Sequence, residues 1–396
     1  MAQDKDLKTP NVPPLRFPGF TDKWKRIKVS ELLDFYSTNS LSWDMLNYDG
    51  GEIKNLHYGL IHSGLPTLVD VSKDSFPFVN EASTPKKYTL CKEGDVAFAD
   101  ASEDTNEVGK VVEFLNTNGE NIISGLHTIH GRDKSDMTVT GFKGYAFSSM
   151  PFHHQIRRIA QGTKIYSIST KTFDEVYIGV PTKDEQAKIA RLLQLLDERI
   201  ATQNKIIDNL QSLIKGLREL LFKPLLSYFV KLGNIAQITN GSGDVQDAVS
   251  DYQNGLYPFF DRSDEMKYFR DYSFDAEAII YAGEGAEFLP RYYNGKFALH
   301  QRCYAITTFS SDFLPRYIYH YLQTQNNYFI RNAVGSTVPS LRIDCFLKIG
   351  IPIADKEIQD SIINRLDRLS EKINNEKNIL SLYQRQKTFL LQKLFI

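Results

Sequence analysis

Cysteine is nearly missing: three occur in 396 residues, Cys91, Cys303 and Cys345, with no CxxC pair and an odd total. That excludes a disulfide framework and a cysteine-built zinc site, and it fits a reducing cytoplasm. Long hydrophobic runs are absent too. None approaches the ~18 apolar residues of a membrane span, and the opening MAQDKDLKTP lacks the apolar stretch of a secretory signal. No charge of one sign dominates. The net charge is −1, and residues 1–182 carry 20 basic and 23 acidic side chains, residues 227–353 carry 11 and 13. The segments 183–226 and 354–396 each carry 8 basic and 6 acidic groups, so no part is a basic tail. Affinity for nucleic acid would have to come from locally placed Lys and Arg or from a basic partner.

Nucleotide and methyl-transfer motifs are also missing. There is no GxxxxGK[ST] loop, and Gly283-Glu284-Gly285 is a bare GxG that reads best as a turn after a strand. The Asn-Pro-Pro-aromatic or acidic tetrapeptide that holds a flipped base is absent, since Pro13-Pro14 runs into Leu15. His127-x-x-His130 and His153-His154 lack a third metal ligand at sensible spacing. The carboxylates of Asp100-Ala101-Ser102-Glu103-Asp104 could bind a divalent ion or act as acid and base, but read more commonly as a loop after a strand, or as hydrogen-bond acceptors for cytosine amino groups. No catalytic constellation and no metal site is expected.

What is present is a duplication. Ile178-Gly179-Val180-Pro181 returns as Ile349-Gly350-Ile351-Pro352, and each precedes a long amphipathic segment. At an offset of 173 residues, Arg158-x-Ala160-x-Gly162-Thr163 matches Arg331-x-Ala333-x-Gly335-Ser336. The offset also pairs Phe173 with Phe346, Gln186 with Gln359, and Phe222 with Phe395. Lys28–Leu33 faintly resembles 231–236 at the start of each half. A repeat of this size means one structural unit written twice.

The long segments carry a heptad seam. In the first it is Ile189, Leu193, Leu196, Ile200, Gln203, Ile207, Leu210, Ile214, Leu217 and Leu221. In the second it is Ile362, Leu366, Leu369, Ile373, Glu376, Leu380, Tyr383, Lys387, Leu390 and Leu394. Apolar residues at +4, +3 over ten positions define a coiled coil. Thr182-x-x-Glu185 reads as a capping box, Asp355 as an N-cap, and Pro224 as a stop. The fifth seam position is polar in both copies, either fixing register or sitting at a solvated edge. Short connections make the helices antiparallel, with a globular lobe at each end and approximate two-fold symmetry.

The remainder reads as short strands and loops, for example Asp95–Ala99, Ala278–Tyr281 and Phe297–Leu299, with a helix at 314–322 opened by Pro315. The fold class is therefore α+β: curved or barrel-like sheets with short helices, divided as 1–22 (an arm), 23–182, 183–226, 227–353 and 354–396. Cations, aromatics and amides mix at predicted loops and strand ends, the residue types that contact bases and phosphates. The candidates are Lys86, Lys87, Tyr88, Ser102, His127, Arg157, Arg158, Arg262, Arg291, Tyr292, His300, Arg302 and Arg331.

Across essentially its full length the chain resembles the specificity subunit of type I restriction–modification systems. The resemblance rests on Leu15-Arg16-Phe17-Pro18-Gly19-Phe20 followed by Trp24, and on the two Ile-Gly-hydrophobic-Pro turns leading to Gln186 and Gln359. Ser124-Gly125-Leu126-His127 and His300-Gln301-Arg302-Cys303-Tyr304 add to it. It implies a non-catalytic DNA reader: 23–182 and 227–353 as target recognition domains for the two halves of an asymmetric site, 183–226 and 354–396 as spacer helices. It also implies two modification subunits that use S-adenosylmethionine, and restriction subunits that use ATP and Mg²⁺. A two-lobed scaffold without a nucleic-acid role is the competing expectation.

Overall fold

The computed structural model describes residues 11–263 and 265–396. The first ten residues of the expected arm lie outside the described residues. The chain forms two compact units, one running up to Asn204 and taking in Ile379–Ile396, the other Lys205–Asn378. Each unit therefore contains part of both long helices, Lys183–Phe222 and Lys356–Lys393. A division at the ends of the helices, as the sequence implies, cuts the chain differently.

In the first unit a five-stranded sheet runs in the order Leu33–Tyr36, Thr128–Asp133, Val96–Ala99, Val111–Asn116, Leu68–Asp70. All neighbours are antiparallel except the last pair. A four-stranded sheet (Asn121–Ser124, Ile53–Leu56, Phe78–Val79, Leu46–Asn47) completes the lobe. The second unit has a six-stranded sheet in the order Gln237–Asn240, Cys303–Thr307, Phe274–Ala282, Arg291–Leu299, Tyr257–Phe260, Lys267–Phe269. Its first three strands repeat the order of the first unit's: an edge strand, a return strand, then a central strand. Pro315 opens the helix Pro315–Leu322 as its sequence predicts.

The repeated proline turn ends a two-stranded ribbon in each unit. Lys25–Lys28 pairs antiparallel with Tyr177–Val180, and Phe229–Lys231 with Gly350–Pro352. The glycine is needed for close approach: a Cβ at Gly179 would fall 2.3 Å from Ile396 and 2.7 Å from Trp24. Each ribbon feeds a long helix, and the seam is as the spacing predicts, with every seam position buried or half-buried. In the first unit Ile189, Leu193 and Leu196 share a core with Leu390 and Leu394 near the other helix's end. In the second, Ile214 and Phe222 share one with Ile362, Leu366 and Ile373. Start meets end in both cases, so the helices run antiparallel. Gln203 and Glu376 are 7% and 8% exposed, which places neither at a solvated edge.

Gln186 and Gln359 show why this amide is written twice. Gln186 accepts the Val139 N–H (2.9 Å) and donates to the carbonyls of Met137 (3.0 Å) and Pro181 (2.9 Å). Gln359 accepts from Leu314 (2.8 Å) and donates to Asp312 (2.9 Å) and Ala354 (2.8 Å). Both amides are fully buried. Each clamps the first turn of a long helix to its own lobe. Gln186→Ala would leave one N–H and two carbonyls buried without partners, at ~1–3 kcal/mol for each group that water cannot reach. Urea denaturation of the full chain is expected to show a loss of about 2–4 kcal/mol; a loss below about 0.5 kcal/mol would mean water replaces the amide freely.

Glu185 corrects the capping-box expectation. Its carboxylate is fully buried and does not turn back to Thr182; it takes both arms of the Arg16 guanidinium, at 2.7 and 2.8 Å. A bidentate arginine outcompetes a local cap because two charge-assisted bonds form at once. The motif around Arg16 is thereby explained: Leu15 N–H donates to the Lys393 carbonyl (2.9 Å), and Lys188 lies over the Phe20 ring (4.9 Å). Asp355 sits at the N-cap position, immediately before Lys356–Lys393, where its backbone carbonyl accepts the Gln359 N–H at 3.0 Å.

Candidate nucleic-acid interface

Antiparallel pairing of Val96–Ala99 with Thr128–Asp133 sets Ala99 opposite Thr128, so the next residue on one strand, Asp100, meets the preceding residue on the other, His127. The Asp100 N–H donates to the His127 carbonyl at 3.1 Å, and His127 Nδ1 lies 3.1 Å from Asp100 Oδ1. His127 has φ +53°, in the left-handed region that few non-glycine residues occupy and that histidine tolerates better than most, and its imidazole is half exposed. Beneath it the sheet is pinned by Asp95, which is buried and bonds His130 (2.7 Å) and both arms of Arg132 (2.7 Å each). Burial pushes the Asp95 carboxyl up, but the Arg132 and His130 hydrogen bonds outweigh it and hold it below the usual carboxylate range.

A polar cavity of about 550 Å³ opens over this pair, lined among others by Asn39, Ser83, Lys87, Asp100 and His127. Aromatic rings lie beside it: Trp43 packs on His57 (4.3 Å between centroids), His57 on Tyr58 (4.7 Å), and Tyr58 against His127 (5.2 Å). Burial, helped by His127, holds His57 below the usual imidazole range, so it stays neutral at physiological pH. Lys86, Lys87 and Tyr88 are exposed. Ser102 is half-buried, and its hydroxyl accepts the Asp104 N–H at 3.1 Å. Arg157 bonds Asn106 Oδ1 (2.9 Å), while Arg158 is exposed.

The second unit builds the matching place differently. Ala282 pairs with Cys303, and the residues beyond them are Gly283-Glu284 on one strand and Arg302 on the other. Glu284 holds the largely exposed Arg302 at 2.7 Å, and the Arg302 N–H donates to His300 Nδ1 at 3.2 Å. Where one unit presents a carboxylate with an imidazole, the other presents a carboxylate with a guanidinium. Arg262 and Arg331 are exposed.

Two candidates are committed to the fold. Arg291 donates to the carbonyls of Ser263 (2.9 Å) and Asp261 and lies over the Phe260 ring (5.2 Å). The Tyr292 hydroxyl donates to Glu277 beneath the Arg316 guanidinium, and burial pushes its phenol well up. Both are half-buried at the start of a long strand, on opposite faces of the sheet, and each finds its acceptors on a neighbouring segment. Trp43, His57 and Tyr58 are residues that loop-and-charge reasoning passes over; the signal for His57 and Tyr58 is the aromatic pair in Asn55-Leu56-His57-Tyr58. Among the described residues no cluster of His, Cys, Asp and Glu suited to a metal ion occurs, and no helix is long and apolar enough to cross a membrane.

The two units thus share a duplicated frame but carry different polar groups at the same two strand ends. The chain belongs to the type I restriction modification DNA specificity domain family, whose model matches residues 21–212 and 227–382. Over 148 residues it is 28% identical to the type I restriction enzyme EcoDI specificity subunit of Escherichia coli, a match covering 37% of this chain and 32% of that one. The match thus spans about a third of the length of that curated relative. The fold is shared with the type I restriction–modification S subunit of M. genitalium, with a TM-score of 0.59 at 17% identity over 97% of this chain and 99% of that one. It is shared also with a chain solved to explain complex assembly and conformational transition of the type I R-M system, with a TM-score of 0.51 at 13% identity over 96% and 98%.

Proposed function

We propose that this chain is the non-catalytic DNA-reading subunit of a type I restriction–modification complex, with each unit reading one half of a split, asymmetric site. The observation that carries this is the pair of equivalent strand ends bearing Asp100 with His127 in one unit and Glu284 with Arg302 in the other. Carboxylates accept from the cytosine amino group, Arg donates to guanine O6 and N7, and imidazole does either, so the two pairs select different bases. Lys86, Lys87, Arg158, Arg262 and Arg331 add positioning contacts to phosphate. The long helices set the distance between half-sites and carry two modification subunits, which bring S-adenosylmethionine and methylate adenine. Restriction subunits add translocation and cleavage with ATP and Mg²⁺. Exposed apolar side chains on the helices, Ile206, Leu213, Leu220, Leu382 and Phe389, support a docking role. The near-neutral charge of the chain is tolerable because the partners share the phosphate contacts.

Mapping methylated adenines in a host carrying this chain and its modification partners tests the proposal. Two unrelated half-sites with a fixed spacer are expected. A palindromic site, or no site, would contradict it.

A further inference from the structure

The duplication retains one exposed feature that the fold does not require. Residues 161–167 and 334–340 form the same loop: Gln161 and Ser167 exchange two backbone hydrogen bonds (3.1 and 2.8 Å), as do Val334 and Ser340 (2.9 and 2.8 Å). Its turn rests on Gly162 and Gly335, with φ +135° and +101°. A Cβ there would fall 1.8 Å from the Ile165 carbonyl and 2.9 Å from that of Val338, so both loops demand glycine. Residues 161–165 and 334–338 are all exposed and add nothing to either core. At each loop, cations and hydroxyls stand without a hydrogen-bond partner among the described residues: Arg158, Thr163 and Lys164 in one, Arg331, Ser336 and Thr337 in the other.

The residue that follows each loop is bonded at or beside a candidate reader. Ile168 N–H donates to the Asp100 carbonyl (2.8 Å), and Leu341 N–H donates to that of Gly283 (2.7 Å), next to Glu284. The reader changes between units while the backbone of the loop beside it and its glycine are kept. Bases differ between half-sites, but the phosphate backbone offers the same geometry at both.

Building on the DNA-reading role proposed above, we infer that these two loops are matched, sequence-independent clamps on the DNA phosphates flanking each half-site. Each loop tip also exposes one apolar side chain, Ile165 or Val338. That is far less than the ~800 Å² per partner of a stable protein interface, which favours a polyanion as the ligand.

The test uses the full complex with its modification subunits, a duplex carrying the mapped site and a random duplex. The Arg158→Gln/Lys164→Gln double variant and Arg331→Gln should each weaken binding to both duplexes, by about 5- to 20-fold at moderate salt. The slope of log affinity against log salt should flatten by ~0.9 per cation removed, and the methylated motif should not change. Unchanged affinity and slope would overturn the inference. So would weakening confined to the mapped site, an altered motif, or loss of the co-purifying modification subunit. A wild-type complex that binds the mapped site no better than random duplex would remove the DNA-reading role itself, and the clamps with it.

Discussion

Under the proposed reading, in which the long helices set the distance between half-sites, deleting one heptad from each helix is expected to abolish methylation at the natural site, by more than about 100-fold. The matched segments are 204–210 and 374–380, counted inward from the ion pair of Asp197 with Lys387 (2.6 Å). Seven residues remove two turns and leave the seam in phase. They shorten each helix by about 10 Å at ~1.5 Å per residue, which is close to three base pairs at ~3.4 Å each. Any methylation that survives should fall on the same two half-sites with a spacer about three base pairs shorter. Mapping of methylated adenines reads both results at once, and a fully modified natural site would show that the helices do not set the spacing.

The second large effect concerns stability. Glu113 is fully buried on a central strand, accepting the N–H groups of Gly141 (2.9 Å) and Gly144 (2.7 Å) and lying 3.2 Å from the Lys143 ammonium, itself 2% exposed. This carboxylate holds the helix Phe142–Phe147 on the sheet, and that helix reaches the long ones through the Tyr145 hydroxyl, which donates to Asp197 at 2.9 Å. Burial pushes the Glu113 carboxyl up, and Lys143 with the two N–H groups opposes that. Glu113→Ala removes the partner of a buried cation and strands two donors, so a loss of about 3–5 kcal/mol is expected. Glu113→Gln retains one acceptor and should lose roughly half as much. Urea denaturation of both variants decides it; equal losses would show that charge is irrelevant to the site.

Much of the scaffold is legible in the sequence because its signals are periodic or local. The seam from Ile189 to Leu221 repeats in the buried face of the first helix, and Pro315 marks a helix start where one occurs. The duplicated Gln186 and Gln359 point to a shared role, though not to which backbone groups they hold. What stays hidden depends on register between distant strands. Asp100 and His127 meet only because Ala99 pairs with Thr128, and a slip of one residue would turn every side chain over. Arg16 hides its role for a similar reason: Glu185, its partner, has a plausible local use as a cap, and only the folded arm shows otherwise. Arg291 and Tyr292 depend on register too, since only the folded strand shows which groups they bond: the Asp261 and Ser263 carbonyls and the Glu277 carboxylate.

The first unit draws part of its core from far along the chain: Leu390, Leu394 and Phe395 pack with Leu193 and Trp24. On a ribosome that unit must wait while Lys205–Asn378 is synthesised, roughly 10 to 35 s at ~5–20 residues per second. Until then Trp24 and the start of the first helix lack their cover, so the nascent chain carries an open hydrophobic seat that chaperones or a premature partner can occupy.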